Sequence, residues 1–303
     1  PFSAPLHAAM TAPHLYKTEA VVLDRRDFGE ADRLLTLYTP GYGKVRAVAK
    51  GSRRTTSRLS GHIELFTHTY LFLAVGRNLD IVTQSQLIRS HERLREDLWR
   101  AALGFHVLEL VNHFSEERLD NPGLWRALLE VLARLDAMPE PPSPSPAAAG
   151  EGWGEGPRRL AETKAPYIVE PPSPDPAEQG EAELAVRFFE ARLLDATGFR
   201  PELRECTLCR ARLEPVANAF HPPSGGLLCP GCAANQAGLL PVSVDAVKVL
   251  RVLQDGNYGT VSRLRLTGSL LHELDATMRR HFTYVLEREL RTVHLLDELR
   301  LGM

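Results

Sequence analysis

The sequence predicts an α+β protein in which a small N-terminal β-barrel is followed by an α-helical domain. Three observations predict this arrangement. Residues 15–88 contain five short β-type segments punctuated by glycine, apolar residues from 91 onward recur at helical spacing, and two Cys-x-x-Cys pairs interrupt the helical part. We therefore expect one domain over 11–90 and a second over 91–303.

The predicted barrel depends on alternating residues and glycine-rich turns. Within Lys44–Lys50, apolar residues occupy the odd positions and mostly basic residues the even ones. The run from His62 to Val75 predicts one long strand, paired with Leu79–Ile88 across a Gly-Arg-Asn turn. Short strands of this kind suit an OB-fold barrel, although periodicity alone leaves a β-sandwich open.

The helical part is predicted by apolar residues spaced three and four apart. The expected helices are 94–114, 124–135 (begun by Asn121-Pro122), 181–197 (ended by Gly198), 244–253 and one long helix from Ser269 to about Asp297. Residues 139–180 hold 11 of the chain's 22 prolines. Because such a composition buries too little apolar surface to offset its ordering entropy, it predicts a disordered insertion.

The strongest local signal is a pair of cysteine knuckles at Cys206, Cys209, Cys229 and Cys232. The intervening 19 residues fall within the range typical of zinc sites, so we predict a zinc finger over 203–235. A redox-active pair is the alternative, but it needs a strand-to-helix context that the sequence lacks. His221 could replace one cysteine as a ligand, but we expect it to be solvent-exposed and not to bind the metal. A closed site with four thiolate ligands has no open position for substrate, which indicates a structural Zn²⁺.

The charge distribution predicts a polyanion partner for the barrel. Residues 11–90 carry 12 Lys and Arg against 7 Asp and Glu, whereas the rest of the chain carries 24 against 31. Six basic residues fall within 15 positions, with no acidic residue among them: Lys44, Arg46, Lys50, Arg53, Arg54 and Arg58. Together with nearby hydroxyl groups, they predict contacts to DNA phosphates, and Tyr42 is the candidate for stacking on a base.

Two other functional classes remain open from the residues alone. Glu30 and Asp32 could bind magnesium in a zinc-containing nuclease, although a turn with a local ion pair fits them better. A zinc-ribbon RNA-binding protein is the second alternative. We find no nucleotide-binding loop or hydrolase motif, so we expect no enzyme. No apolar run approaches the length of a membrane span and residues 1–9 do not resemble a signal peptide, which predicts a cytoplasmic protein.

The order of these features resembles the bacterial RecO recombination-repair family. The resemblance is carried by Val22–Thr39, by Gly43–Arg54 with Ser57-Arg58-Leu59, and by the two knuckles, and it covers nearly the whole chain except 1–10 and the proline-rich insertion. It implies an N-terminal OB-fold, a C-terminal helical domain and an embedded zinc finger with four cysteine ligands.

The resemblance also implies a function. Such a protein is a nucleoid-associated recombination mediator that binds single- and double-stranded DNA and anneals complementary strands. With RecR, it helps RecA to replace single-strand binding protein (SSB) on DNA. The six basic residues of the barrel would then carry the DNA contacts.

Overall fold

A computed structural model describes residues 15–137 and 176–301 of the chain. Its N-terminal part is a closed five-stranded barrel, with β1 at Leu15–Phe28, β2 at Asp32–Thr39, β3 at Gly43–Ala49, β4 at His68–Ala74 and β5 at Asp80–Arg89. The strand order around the barrel is β1-β2-β3-β5-β4, and only the β3–β5 pairing is parallel. This closure confirms the predicted OB-type barrel and rules out the sandwich.

The predicted strand from His62 to Val75 is too long at its start. Residues Ser60–His62 form a 3-10 turn instead, and β4 begins only at His68. Phe66 adopts a left-handed backbone (φ 68°) that no strand tolerates. This turn directs the Phe66 ring into the core between barrel and helices, 5.0 Å from the ring of Phe105. Burial of the ring therefore outweighs the strand preference of the local sequence.

The helical domain consists of nine helices within the described residues: α1 Glu92–Glu96, α2 Leu98–Phe114, α3 Pro122–Ala137, α4 Pro176–Thr197, α5 Pro230–Ala233, α6 Val244–Asp255, α7 Tyr258–Val261, α8 Gly268–Leu286 and α9 Arg291–Leu301. Asn121 begins α3 as predicted, because its Oδ1 accepts the Leu124 amide at 3.0 Å. Gly198 ends α4 with φ 82°. Between α4 and α6 the chain also forms a small sheet of order β7-β6-β8 (β6 Asn218–His221, β7 Gly226–Leu228, β8 Leu240–Val242).

Three predictions need correction. The helix expected over 94–114 is divided at Asp97, which has an extended backbone (ψ 123°) and begins α2, because its Oδ1 accepts the Arg100 amide at 2.7 Å. The single helix expected from Ser269 to Asp297 is broken at Glu287, which has φ 53°. A new helix, α9, begins at Arg291, because Glu109 of α2 accepts the backbone N–H groups of Arg291 and Thr292, both at 2.9 Å. Of the predicted disordered insertion 139–180, residues up to 175 lie outside the described part. Residues 176–180 form the start of α4, since a proline suits a first helical turn.

A charged cluster lies inside the helical domain. Arg187, Glu190 and Asp275 are each at most 3% exposed. The Arg187 Nη1 atom is 2.9 Å from Glu190 Oε2 and 3.0 Å from Asp275 Oδ1, which joins α4 to α8. His106 of α2 extends the cluster, with its Nε2 2.9 Å from Glu190 Oε1. Mutual pairing lets these charges remain buried.

The barrel is fixed to the helices at two places. Part of the outer face of β1 and β2, at Val21, Leu23 and Tyr38, packs on the helical domain, and the rings of Tyr38 and Trp125 of α3 lie 6.2 Å apart. At one end of the barrel, the segment 115–121 between α2 and α3 runs along the start of β3. Here the Lys44 amide donates to Glu116 O at 3.2 Å. No helix in the described part of the chain is both long and apolar enough to cross a bilayer.

Candidate nucleic-acid interface and metal centre

The predicted basic residues divide into two groups. Five of them are exposed, one in the middle of β3 and four in the loop that follows it: Arg46, Lys50, Arg53, Arg54 and Arg58. Lys44 is instead half-buried against the helical domain, and its Nζ donates to the Asn112 carbonyl at 2.7 Å. Burial lowers the pKa of Lys44, against the opposite effect of Glu117 and Glu116. The alternation of β3 predicts that Lys44 points outward, but not that segment 115–121 covers that place.

The loop that carries the basic residues is held firmly. The Gly51 amide donates to Asp32 Oδ1 at 2.7 Å, and the Arg53 amide donates to Ala31 O at 2.9 Å. Gly51 has φ 64°, a conformation that glycine adopts at little cost. The Arg53 guanidinium lies 3.3 Å from Asp27 Oδ2. These contacts attach the loop to the β1–β2 hairpin, so the cations on it share a defined position.

Four cations, Arg46 of β3 and three in this loop, face solvent without an acidic partner. Within 15–137 and 176–301, no carboxylate lies within ion-pairing distance of Arg46, Lys50, Arg54 or Arg58. Exposed and unpaired cations are suited to phosphate groups, because binding needs no prior rupture of an ion pair. We call this set, with Arg53, the basic loop surface.

Glu30 and Asp32 do not form a metal-binding group with a third ligand in the described part of the chain. Asp32 instead fixes the backbone of Gly51, while the exposed Glu30 accepts a long hydrogen bond from Arg53 at its carbonyl, 3.3 Å away. The acidic residues of the hairpin thus shape the turn, which is the local role that their position in the sequence favours.

The four predicted cysteines meet at one point. Their sulfur atoms all lie within 4.8 Å of one another, and those of Cys209 and Cys229 are 3.8 Å apart. A tetrahedral ion with metal–sulfur bonds of about 2.3 Å requires sulfur–sulfur separations of about 3.8 Å. Cys206 is buried and Cys209 is exposed. The residues therefore fit a closed metal centre at the edge of the domain.

Two of these thiols have shifted pKa values. Burial raises the pKa of Cys206, but backbone hydrogen bonds from Cys209, Cys229 and Leu208 outweigh it and lower the value to about 6. Hydrogen bonds to the other three sulfur atoms raise the pKa of Cys232 to about 12. Four thiolates cannot ionise together at this spacing unless a positive ion compensates them. His221 does not belong to the ligand group found in the described residues. It is half-buried and not solvent-exposed as expected, with its Nδ1 3.0 Å from Ser224 Oγ.

Comparison with known proteins gives consistent matches along the chain. The family model described as Recombination protein O N terminal matches residues 10–91, and the one described as Recombination protein O C terminal matches residues 177–294. A DNA repair protein RecO from Dehalococcoides mccartyi is 37% identical over 97% of this chain and 99% of its own length. Proteins of the same name from Roseiflexus sp. (39% identical, 94% and 86% covered) and Symbiobacterium thermophilum (32%, 94% and 98%) are also similar.

Proposed function

Because this chain belongs to the RecO family of DNA repair proteins, we propose that it is a non-catalytic mediator of recombination that acts by binding DNA strands. In this proposal it binds single- and double-stranded DNA and anneals complementary strands. It assists RecA, together with RecR, in displacing SSB. It works in the cytoplasm, at the nucleoid.

One observation carries the proposal: the basic loop surface offers four exposed cations that no carboxylate neutralises in the described residues. Annealing requires that repulsion between two phosphate backbones be screened, and such cations provide this screening. Among the residues the structure describes, this surface has no group of three or more acidic side chains, and Asp32 is bonded to the Gly51 amide. This supports a binding role over the nuclease alternative.

We assign Zn²⁺ to the cysteine centre. All four ligands are sulfur, one sulfur–sulfur distance already equals a tetrahedral edge, and no fifth donor is offered by the nearby His221. The ion would join the loop before β6 to the start of α5. Its role is to stabilise this part of the helical domain and not to act on DNA chemically.

The test is DNA binding as a function of salt. We expect the logarithm of the affinity for single-stranded DNA to fall steeply and linearly with the logarithm of the salt concentration. The double variant Arg54→Glu, Arg58→Glu should bind at least about tenfold more weakly, since each cation interacts with phosphate. Arg263→Glu, Arg265→Glu is the matched control, because it makes the same change of charge at exposed positions between α7 and α8.

Three outcomes would contradict the proposal or part of it. Equal loss in both double variants would mean that only net charge matters. Cleavage of labelled DNA in the presence of magnesium would favour the nuclease. Preference for structured RNA over single-stranded DNA would favour the RNA-binding alternative. Adding RecR, and then SSB-coated DNA, tests the partners in turn.

A further inference from the structure

We propose that Phe28, at the tip of the β1–β2 hairpin, stacks on an unpaired base and so favours single-stranded over double-stranded DNA. This inference rests on the proposed function and names a residue that recognises the substrate. It is carried by the exposure of the ring, by its fixed position and by the cations that share its face.

Phe28 and Tyr42 are the two exposed aromatic side chains of the barrel, and Phe28, at 48%, is the more exposed of the two. The hairpin that presents it is not free to collapse over it. Gly29 (φ 60°) makes the turn tight, and the basic loop is bonded to the hairpin at Ala31 O and Asp32 Oδ1. An apolar ring of this size is exposed at a cost, which binding of a planar partner would offset.

The strand register places Phe28 on the same side of the sheet as the basic residues. Arg26 pairs with Leu34, and Leu34 pairs with Val48, so these residues share the outer face. Phe28 and Lys50 lie two residues further along that face in the same direction. Since neighbouring strands are about 4.8 Å apart, two strand spacings put Phe28 about 10 Å from the backbone at Lys50. This distance is comparable with the distance between a base and the phosphate groups next to it.

Basic side chains outnumber acidic ones in the segments that lie towards the Phe28 end of the barrel. Residues 24–34 and 46–64 carry 8 basic and 5 acidic side chains, and the exposed Glu30 is the one of these acidic groups without a charged or hydrogen-bonding partner for its carboxylate in the described residues. Most of these acidic groups are already engaged: Asp24 with Arg26, Asp27 with Arg53, Asp32 with Gly51 N, and Glu64 with Arg25 and Arg33. A phosphate backbone beside the ring therefore meets cations that lack acidic partners.

Tyr42, the aromatic candidate from the sequence, lies in the opposite electrostatic setting. Its ring is 38% exposed and packs 4.6 Å from the ring of Tyr16 at the other end of β3. Glu116 and Glu117 flank this end, beside Lys44. Because their charges repel phosphate, a DNA strand would bind less favourably near Tyr42 than near Phe28.

A base can stack on Phe28 only when its flat face is open. In a duplex both faces of each internal base are covered by neighbours, whereas a single strand offers them. Stacking therefore adds affinity for single strands alone, while the cations bind either form. The ring and the basic loop surface have separable effects, and this separation makes the inference testable.

The experiment measures the affinity of the full-length protein for a labelled dT oligonucleotide and for a duplex of mixed sequence. Phe28→Ala should weaken single-strand binding about fivefold or more and leave duplex binding within about twofold. Phe28→Tyr should restore single-strand binding, because a ring returns. Binding of the single strand should quench the tryptophan fluorescence of Phe28→Trp more than that of the wild type. Thermal unfolding of each variant checks that the fold is intact.

Each other outcome has a distinct meaning. If wild type binds neither DNA, the proposed function fails and this inference fails with it. If wild type binds and Phe28→Ala binds single strands equally well, only this inference is overturned. It is also overturned if Phe28→Ala loses both DNA forms equally, or if Tyr42→Ala loses single-strand affinity while Phe28→Ala does not.

Discussion

The guanidinium of Arg118 donates from Nη2 to Asp80 Oδ2 at 2.5 Å, and this contact joins the segment after α2 to the first residue of β5. Asp80 is 1% exposed, and Tyr16 Oη donates to the same oxygen. The Arg118 amide also donates to Lys44 O at 3.1 Å. One residue thus holds three strands of the barrel against the helical domain.

We expect Arg118→Met to destabilise the protein by about 1–3 kcal/mol, because it leaves a buried carboxylate with fewer donors. Urea unfolding measures this loss. Arg126→Met is the control, since the exposed Arg126 contacts only the Pro122 carbonyl of its own helix at 3.2 Å and should cost under about 0.5 kcal/mol. Equal midpoints for the two variants would show that the Arg118 contact contributes nothing.

The second prediction concerns acid stability and Asp275. Burial raises its pKa, but Arg187, Arg300 and Arg279 outweigh this and lower it to about 2. The folded value lies below the unfolded one of about 3.9. Its stabilisation is therefore present above about pH 4 and is lost as the pH falls from about 4 towards 2.

Asp275→Asn should remove that part of the acid dependence and cost about 3–5 kcal/mol at neutral pH, because it removes a buried charge that pairs with Arg187, Arg279 and Arg300. Unfolding free energies measured between pH 3 and pH 7 would test both effects. Asp297→Asn is the comparison, since this carboxylate is 48% exposed and also contacts Arg279. A wild-type profile that does not change below pH 4 would contradict the assignment.

The third prediction separates Lys44 from the basic loop surface. Lys44→Met should retain DNA affinity within about twofold but lower the melting temperature, because the contact with Asn112 O is lost. Arg54→Met should weaken DNA binding and leave the melting temperature unchanged. It should also reduce the slope of log affinity against log salt concentration by about 1. If Lys44→Met reduces the slope as much as Arg54→Met, Lys44 contacts phosphate after all.

The fourth prediction is for the cysteine centre. Purified protein should contain about one zinc ion per chain, and Cys206→Ser should lose it together with much of the stability of the helical domain. Elemental analysis and thermal unfolding measure the two effects. Thr207→Ala is a control in the same knuckle with no sulfur removed. Four rapidly titrating thiols in metal-free, fully stable protein would disprove a structural metal.

Features that depend on near neighbours in sequence are predictable here. Cysteine spacing predicts the cluster that the structure forms, and the alternation within β3 predicts which side chains face out. The left-handed residues Phe66 and Glu287 were not predictable, because distant partners stabilise them. The buried Arg187 looks like a surface residue in sequence, since nothing local reveals that Asp275, far along the chain, pairs with it.

The seam that closes the barrel joins β3 to β5 through only two residue pairs, Ala47 with Asp80 and Val48 with Ile81. β3 pairs with β2 over seven residues on its other side. Apart from the contacts of Arg118 with Asp80 and with the Lys44 carbonyl, few hydrogen bonds hold the seam, so local opening of the barrel should begin there. The face shared by β1, β2 and β3 would move as one unit in such an opening. A DNA strand bound across that face would stay bound during this local opening. Backbone amide hydrogens at the seam should exchange with solvent earlier than those between β2 and β3.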